Sequence, residues 1–313
     1  MNRSTTEMAY KKTQASISPQ RQKINLLFNN VMDFSKKLVR HPSACIGAIV
    51  ISLFMAVAIF APWIAPHSAV EGDLMNRFVP PFWVDGGSAK FILGTDSMGM
   101  DLLSRIIWGA RVSMTVGIIA ISSAMIIGTT LGLIAGYFRG WFDTILCRIS
   151  ELMSAFPFLI FAIAMMAFLG PGFWNLILAL VFISWIEFFR VVRGEIMNEK
   201  TKEYVEAAVA IGRSHFKVMV SEVLPNIIHS ILVLATLRLG FLIIMEASLS
   251  FLGLGIQPPT AAWGSMISAG RDYMLNAWWI TTLPGIALII LILSINLLGE
   301  GLRDILDPRL KSK

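Results

Sequence analysis

Five long apolar stretches dominate the chain, at positions 44–65, 112–138, 152–186, 223–256 and 277–299, and four of the five carry no charged residue. A run of about 20 apolar residues is enough for a helix to cross a hydrocarbon core of roughly 30 Å. The third stretch is too long for one crossing, since at about 1.5 Å per residue it would extend for about 50 Å. It breaks at Gly170-Pro171-Gly172, where proline ends a helix and the glycines permit a tight reversal. The pattern therefore predicts an all-α, polytopic membrane protein with about six transmembrane helices.

Composition sharpens that picture. Hydrophobic residues make up 56% and charged residues 15%, with a mean hydropathy of +0.70, whereas a soluble domain carries about 25% charge. Lipid is the solvent for most of the chain. A net charge of +6 could suggest nucleic acid, but the distribution of the cations argues for membrane orientation and no nucleic acid. Of the 26 Lys and Arg residues, 20 fall in positions 1–43, 139–148, 190–226 and 300–313. Only four fall in 66–110 and 257–276, on the opposite side of the spans, and Arg111 and Arg238 lie at or inside spans. The bias places both termini in the cytoplasm. Residues 1–43 lack the apolar core of a cleavable signal and read as a cytoplasmic tail. A transmembrane domain at 44–302 follows, with an external loop at 66–110 and a cytoplasmic loop at 190–226, and 303–313 closes the chain as a second cytoplasmic tail. Cys45 and Cys147, both near expected cytoplasmic helix ends, read as packing residues rather than a disulfide.

Within this frame several patterns carry candidate chemistry. In the external loop, positions 97–110 have helical spacing and predict a short surface helix leading into the second span. Trp63, Trp83 and Trp108 suit the interfacial belt. Gly128, Gly132, Gly136 and Gly140 recur every fourth residue, a stripe that lets another helix approach closely. Packing inside the chain is the plain reading; a dimer seam or a transport path are the alternatives. Arg238 and Glu246 share the fifth span. A charge near mid-membrane costs about 3 kcal/mol or more, so both should face the bundle interior or a water-filled cavity. Eight residues put them about 12 Å apart along the axis, too far to pair directly. They are a candidate intramembrane polar path or a structural polar network.

The loop at 190–226 is the most informative segment. Positions 200–211 favour helix, with Tyr204, Ala207, Ala208 and Ile211 on one face. Gly212 is suited to end that helix in a left-handed conformation. Residues 213–223 then predict a second helix nearly at right angles, and Pro225 an opening for the fifth span. Such a helix either lies on headgroups or docks into another protein.

Glu206-Ala207-Ala208, Gly212 and Leu224-Pro225 resemble the "EAA" loop of ABC-importer permeases. More narrowly, the chain resembles the OppC/DppC branch of the dipeptide/oligopeptide/nickel permeases. The likeness runs through His41-Pro42, Leu93-Gly94-Thr95-Asp96 with Gly99 and Asp101, Gly136-Tyr137 with Gly140 and Asp143, and Phe156-Pro157. It continues through Arg190 and Arg193, Leu224-Pro225-Asn226, Ser250 to Gly255, Pro258-Pro259, Trp263-Gly264, Asn296 to Gly299, Leu302-Arg303-Asp304 and Asp307-Pro308. Met100, Ser221-Glu222 and Glu300 depart from the usual Arg, Arg-His and Asp, and the second departure adds negative charge beside the expected docking surface.

The resemblance implies a type I ABC-importer permease fold in a bacterial inner membrane. It implies that Glu203, Glu206, Ala207, Ala208, Gly212, Leu224 and Pro225 couple the spans to a cytoplasmic ATPase. The implied partners are a second homologous permease subunit, two ABC ATPase subunits and an extracytoplasmic substrate-binding protein. The cargo it implies is a dipeptide, oligopeptide, glutathione, nickel or metal chelate. No Gly-x4-Gly-Lys-Ser/Thr phosphate loop occurs, so ATP would bind only on a partner. His41, His67, His215 and His229 are scattered, without a nucleophile-base pair or metal-ligand spacing, which weighs against a membrane hydrolase and leaves no catalytic residue, metal or cofactor expected. A secondary transporter would show coupling carboxylates in several spans, whereas only Glu246 and Glu187 come close.

Overall fold

The computed structural model describes residues 37–306. The tails before and after, including Asp307-Pro308, lie outside the described residues. Nine helices follow one another among those residues. They are α1 (Pro42–Ile64), α2 (Leu102–Phe138), α3 (Gly140–Ser154), α4 (Phe158–Leu169), α5 (Phe173–Glu199), α6 (Glu203–Ala210), α7 (His215–Phe251), α8 (Trp263–Gly270) and α9 (Trp279–Leu306). The described residues contain no strand beyond an isolated bridge between Thr95 and Asp101.

Five of these helices, α1, α2, α5, α7 and α9, are long and apolar enough to cross a membrane, and the pair α3 and α4 makes a sixth if counted as one bent span. That pair turns through 93°. At 12 residues α4 is about 18 Å long, too short to cross alone. The expected third span is therefore broken at residues 155–157, where Pro157 cannot continue the helix of α3. The break expected at Gly170-Pro171-Gly172 falls between α4 and α5, with Gly170 at φ +80°.

The core is built on α2 against α5, the most extensive helix pair, with α7 joining this pair to α9 and α1 packed on α9 and α2. Gly128, Gly132 and Gly136 face α5, so the stripe serves packing inside the chain. A Cβ on Gly128 would sit 2.4 Å from the Trp185 carbonyl oxygen. Gly140 does not belong to that contact. It has open space around it and φ +78°, and it turns the chain from α2 into α3. On the other side of the bundle, a Cβ at Gly47 of α1 would lie 2.5 Å from the Ser294 carbonyl oxygen of α9. Small residues thus set the helix spacing where lipid supplies no hydrophobic drive.

The surface helix expected at 97–110 is not separate. Its residues from Leu102 onward are the first turns of α2, largely buried beneath the segment that precedes them. Asp101 fixes that start by accepting hydrogen bonds from the Ser104 amide at 2.9 Å and the Ser104 hydroxyl at 2.6 Å. Thr95 secures the loop, accepting from the Val79 amide and donating to the Asn76 carbonyl. Trp263 and Trp279, both buried, donate their indole N–H groups to the carbonyls of Ile106 and Thr95. The segment between α1 and α2 is thereby joined to α8 and α9, and Met100 sits inside it against the Arg105 guanidinium.

Candidate functional site

The loop expected at 190–226 is narrower than the charge pattern predicts, because α5 runs on to Glu199 and α7 already begins at His215. Between them α6 projects as a short helix. Gly212 follows it at φ +82°, the left-handed conformation anticipated for it. The second helix expected at 213–223 is not separate from the fifth span. Instead His215–Val218 continues through a π-helical turn at Met219–Val223 into the body of α7. The physical reason is Pro225, which has no N–H to give to the preceding turn. Widening the helix there absorbs the missing bond, as π-bulges do. Asn226 donates its side-chain amide to the Glu222 carbonyl at 2.7 Å.

On α6 the expected single face divides. Val205 and Ala208 turn inward and are buried, whereas Glu203, Tyr204, Glu206, Ala207 and Ile211 are exposed. An eight-residue helix lying against α5 and α7 offers only one side, and the 100° step between neighbours separates Ala207 from Ala208. Glu222 is balanced by an ion pair with Arg213, so the departure at Ser221-Glu222 does not leave a bare charge.

Polar contacts hold α6 to both neighbouring spans. The Tyr204 hydroxyl donates to the Glu199 carboxylate at the end of α5 and accepts from the Asn226 amide on α7 at 2.9 Å. Burial of the phenol end, reinforced by the Glu199 carboxylate, pushes its pKa up to about 12. Lys202 pairs with Glu199 at 2.7 Å. Beside them Lys200 donates to the Tyr137 carbonyl at 2.7 Å, and the Tyr137 hydroxyl meets His215 Nδ1 at 2.9 Å, joining the end of α2 to the start of α7. Removing the Tyr204 hydroxyl with Tyr204→Phe is expected to cost about 1 kcal/mol locally, since the site is partly open to water. Amide hydrogen exchange across 203–212 should then quicken about fivefold with the spans unchanged; unaltered exchange would mean that the hydroxyl does not hold the helix.

The two charges of the fifth span go to different places. Glu246 is fully buried, accepting from Ser113 of α2 at 2.8 Å and from Ser250 at 3.0 Å. Arg238 lies on the open side of the bundle, over the Phe241 ring at 5.3 Å and in an ion pair with Glu187 of α5. Sequence spacing missed that partner because Glu187 is on another span. Below this pair Ser230 of α7 donates to Glu195 of α5 at 3.1 Å, so a polar seam follows α5 and α7 down toward Asn226. Nearby, Asp143 of α3 receives a two-point contact from Arg193, and Arg190 donates to the Ser150 carbonyl at 3.0 Å. These arginines of the resemblance thus fasten the oblique α3 to α5. Among the described residues no group of His, Cys, Asp and Glu has the arrangement to hold a metal ion.

A bundle of spans with a broken third crossing, a partly exposed ion pair between two spans and an exposed helix braced at one end is that of a multi-pass membrane transport component. The profile of the family described as "Binding-protein-dependent transport system inner membrane component" matches residues 128–312, and that of "N-terminal TM domain of oligopeptide transport permease C" matches residues 31–81. The chain belongs to this family of inner-membrane transport permeases. It is 40% identical over 280 residues to the di/tripeptide transport system permease protein DppC of Pseudomonas aeruginosa, covering 90% of this chain and 92% of the relative. It is 40% identical over 277 residues to the dipeptide transport system permease protein DppC of Alkalihalophilus pseudofirmus, covering 88% and 89%. The glutathione transport system permease protein GsiD of Escherichia coli O6:K15:H31 is 41% identical over 279 residues, covering 89% and 90%.

Proposed function

We propose that this permease forms one half of the pathway of an ATP-driven importer for short peptides, with related small solutes such as glutathione as the neighbouring cargo class. The observation that carries the reading is α6, an exposed helix on a rigid mount between two spans. Glu203, Glu206, Ala207 and Gly212 would meet a cytoplasmic ATPase subunit there. Ala208 would seat the helix, and Leu224 and Pro225 would pass its movement into α7. The partners are a second permease subunit, two ATPase subunits and an external binding protein, with both termini on the cytoplasmic side. The charge bias of the loops supports that orientation. Of the two charges in α7, Arg238 belongs to the pathway wall, while Glu246 ties α7 to α2.

The test is uptake of labelled dialanine, glutathione and nickel by cells lacking the gene and by complemented cells, with co-purification of the tagged chain from native membranes. Loss and restoration of dialanine uptake, with ATPase subunits recovered alongside the chain, is the expected result. Unchanged uptake of all three solutes would reject the cargo assignment.

A further inference from the structure

Resting on the reading of the chain as a peptide importer's permease, we propose that Glu187 and Arg238 form a paired-charge contact for the solute in the pathway wall. Arg238 takes carboxylates, and Glu187 takes ammonium groups, of a zwitterion such as a free peptide. Counted from Phe173 at the other end of α5, Glu187 lies about 21 Å in, hence within a hydrocarbon core of about 30 Å, in the half nearer Arg190, and Arg238 meets it at that level. The pair's side chains are nonetheless 36% and 38% exposed on this chain. Lipid is excluded as their neighbour, because charge at that depth is costly unless it meets water or protein.

The broken third crossing points the same way, independently. Residues 154–157 between α3 and α4 are exposed, and irregular backbone at membrane depth is tolerated only where protein covers it or water reaches it. Phe158, which opens α4 just after the break, packs edge-on at 4.9 Å against Phe241, the ring beneath the Arg238 guanidinium. Break and ion pair therefore share one level and one side of the bundle.

The chemistry of the pair suits passage rather than capture. Arg238 and Glu187 approach each other most closely between Nε and Oε2. Among the described residues the one side-chain hydrogen bond to Glu187 comes from Arg238. A guanidinium has several N–H donors and a carboxylate several acceptor positions, so the pair exhausts neither group. What remains can meet a passing carboxylate and ammonium group. Because the pair is neutral as a whole, it adds no net field to hold an ion of either sign, as a conducting site requires.

The experiment compares uptake of labelled Ala-Glu and Ala-Lys by the full importer, in cells whose other peptide uptake has been removed. Arg238→Gln is expected to lower the Ala-Glu to Ala-Lys ratio about tenfold, and Glu187→Gln to raise it by a similar factor, each relative to wild type. The comparison cancels any preference of the external binding protein. Ratios within twofold of wild type in both variants, with total uptake reduced or not, overturn the proposal and leave the pair structural. Membrane levels are followed by immunoblot. Should Arg238→Gln fail to accumulate, Glu187→Gln carries the test alone with its opposite sign. A wild-type importer that takes up neither peptide overturns the cargo reading and this contact with it, an outcome distinct from unchanged ratios.

Discussion

Replacing Gly128 by leucine is expected to remove the protein from the membrane. A first side-chain carbon there would lie 2.4 Å from the Trp185 carbonyl oxygen and 2.5 Å from Cβ of Phe188, both on α5. These atoms belong to a helix backbone and the root of a side chain, so neither has a rotamer by which to withdraw. Overpacking a soluble core costs about 1–3 kcal/mol when neighbours can shift. Here a leucine must push α2 and α5 apart, and the contacts lower in the same stripe open with it: Gly132 against Phe189 and Val192, and Gly136 against Arg193 and Ile196. Nothing in lipid replaces the lost van der Waals contact. Membrane content measured by immunoblot should fall at least tenfold, and uptake with it. Gly285→Ala, where a Cβ meets nothing within 4 Å, is the control and should accumulate normally. Normal levels of Gly128→Leu would mean that α2 and α5 do not pack in this way.

That interface also shows where sequence reasoning works in this fold. The glycine spacing pointed to close packing because a helical repeat of four keeps residues on one face, and the three glycines inside α2 obey it. Gly140 lies beyond the helix end, where the repeat no longer has meaning. The six-crossing count followed from apolar length, yet the 93° bend inside the third crossing did not. Residues 152–169 are uniformly apolar, so hydropathy reads straight through Pro157. The end of α6 was legible because Gly212 has a conformational signature. Its orientation was not, because Tyr204, Val205, Ala207 and Ala208 are all compatible with burial in one dimension. Arg238 was legible as costly in lipid, whereas its counterion was hidden by a separation of 51 positions in the chain.

Contacts among these residues give the end of the bundle that carries α6 a mechanical continuity. Tyr204 ties α6 to Glu199 and Asn226, and those residues sit on the two helices whose facing sides carry Glu195, Ser230, Glu187 and Arg238. A displacement of α6 therefore reaches α5 and α7 together. The π-turn at Met219–Val223 lies between the end of α7 beside α6 and its apolar body, which makes it the natural place for that helix to flex.

Ala207→Asp is accordingly expected to abolish ATP-driven uptake while leaving the chain folded. Ala207 is exposed and faces away from the bundle, so a carboxylate there meets water in the isolated subunit and costs the fold little. Within a docked interface the same carboxylate would be buried without a partner, and an unpaired charge of that kind costs several kcal/mol. At about 1.4 kcal/mol per factor of ten, a loss of that size weakens association a hundredfold or more. The variant should reach the membrane at wild-type levels, lose its ATPase subunits on purification, and show uptake below a tenth of normal. Ala208→Asp separates the two effects, because Ala208 is 8% exposed and turned into the bundle. It should lower membrane content directly. If Ala207→Asp keeps both its ATPase partners and its uptake, α6 is not the docking helix, and its exposed face has to be explained by contact with lipid headgroups instead.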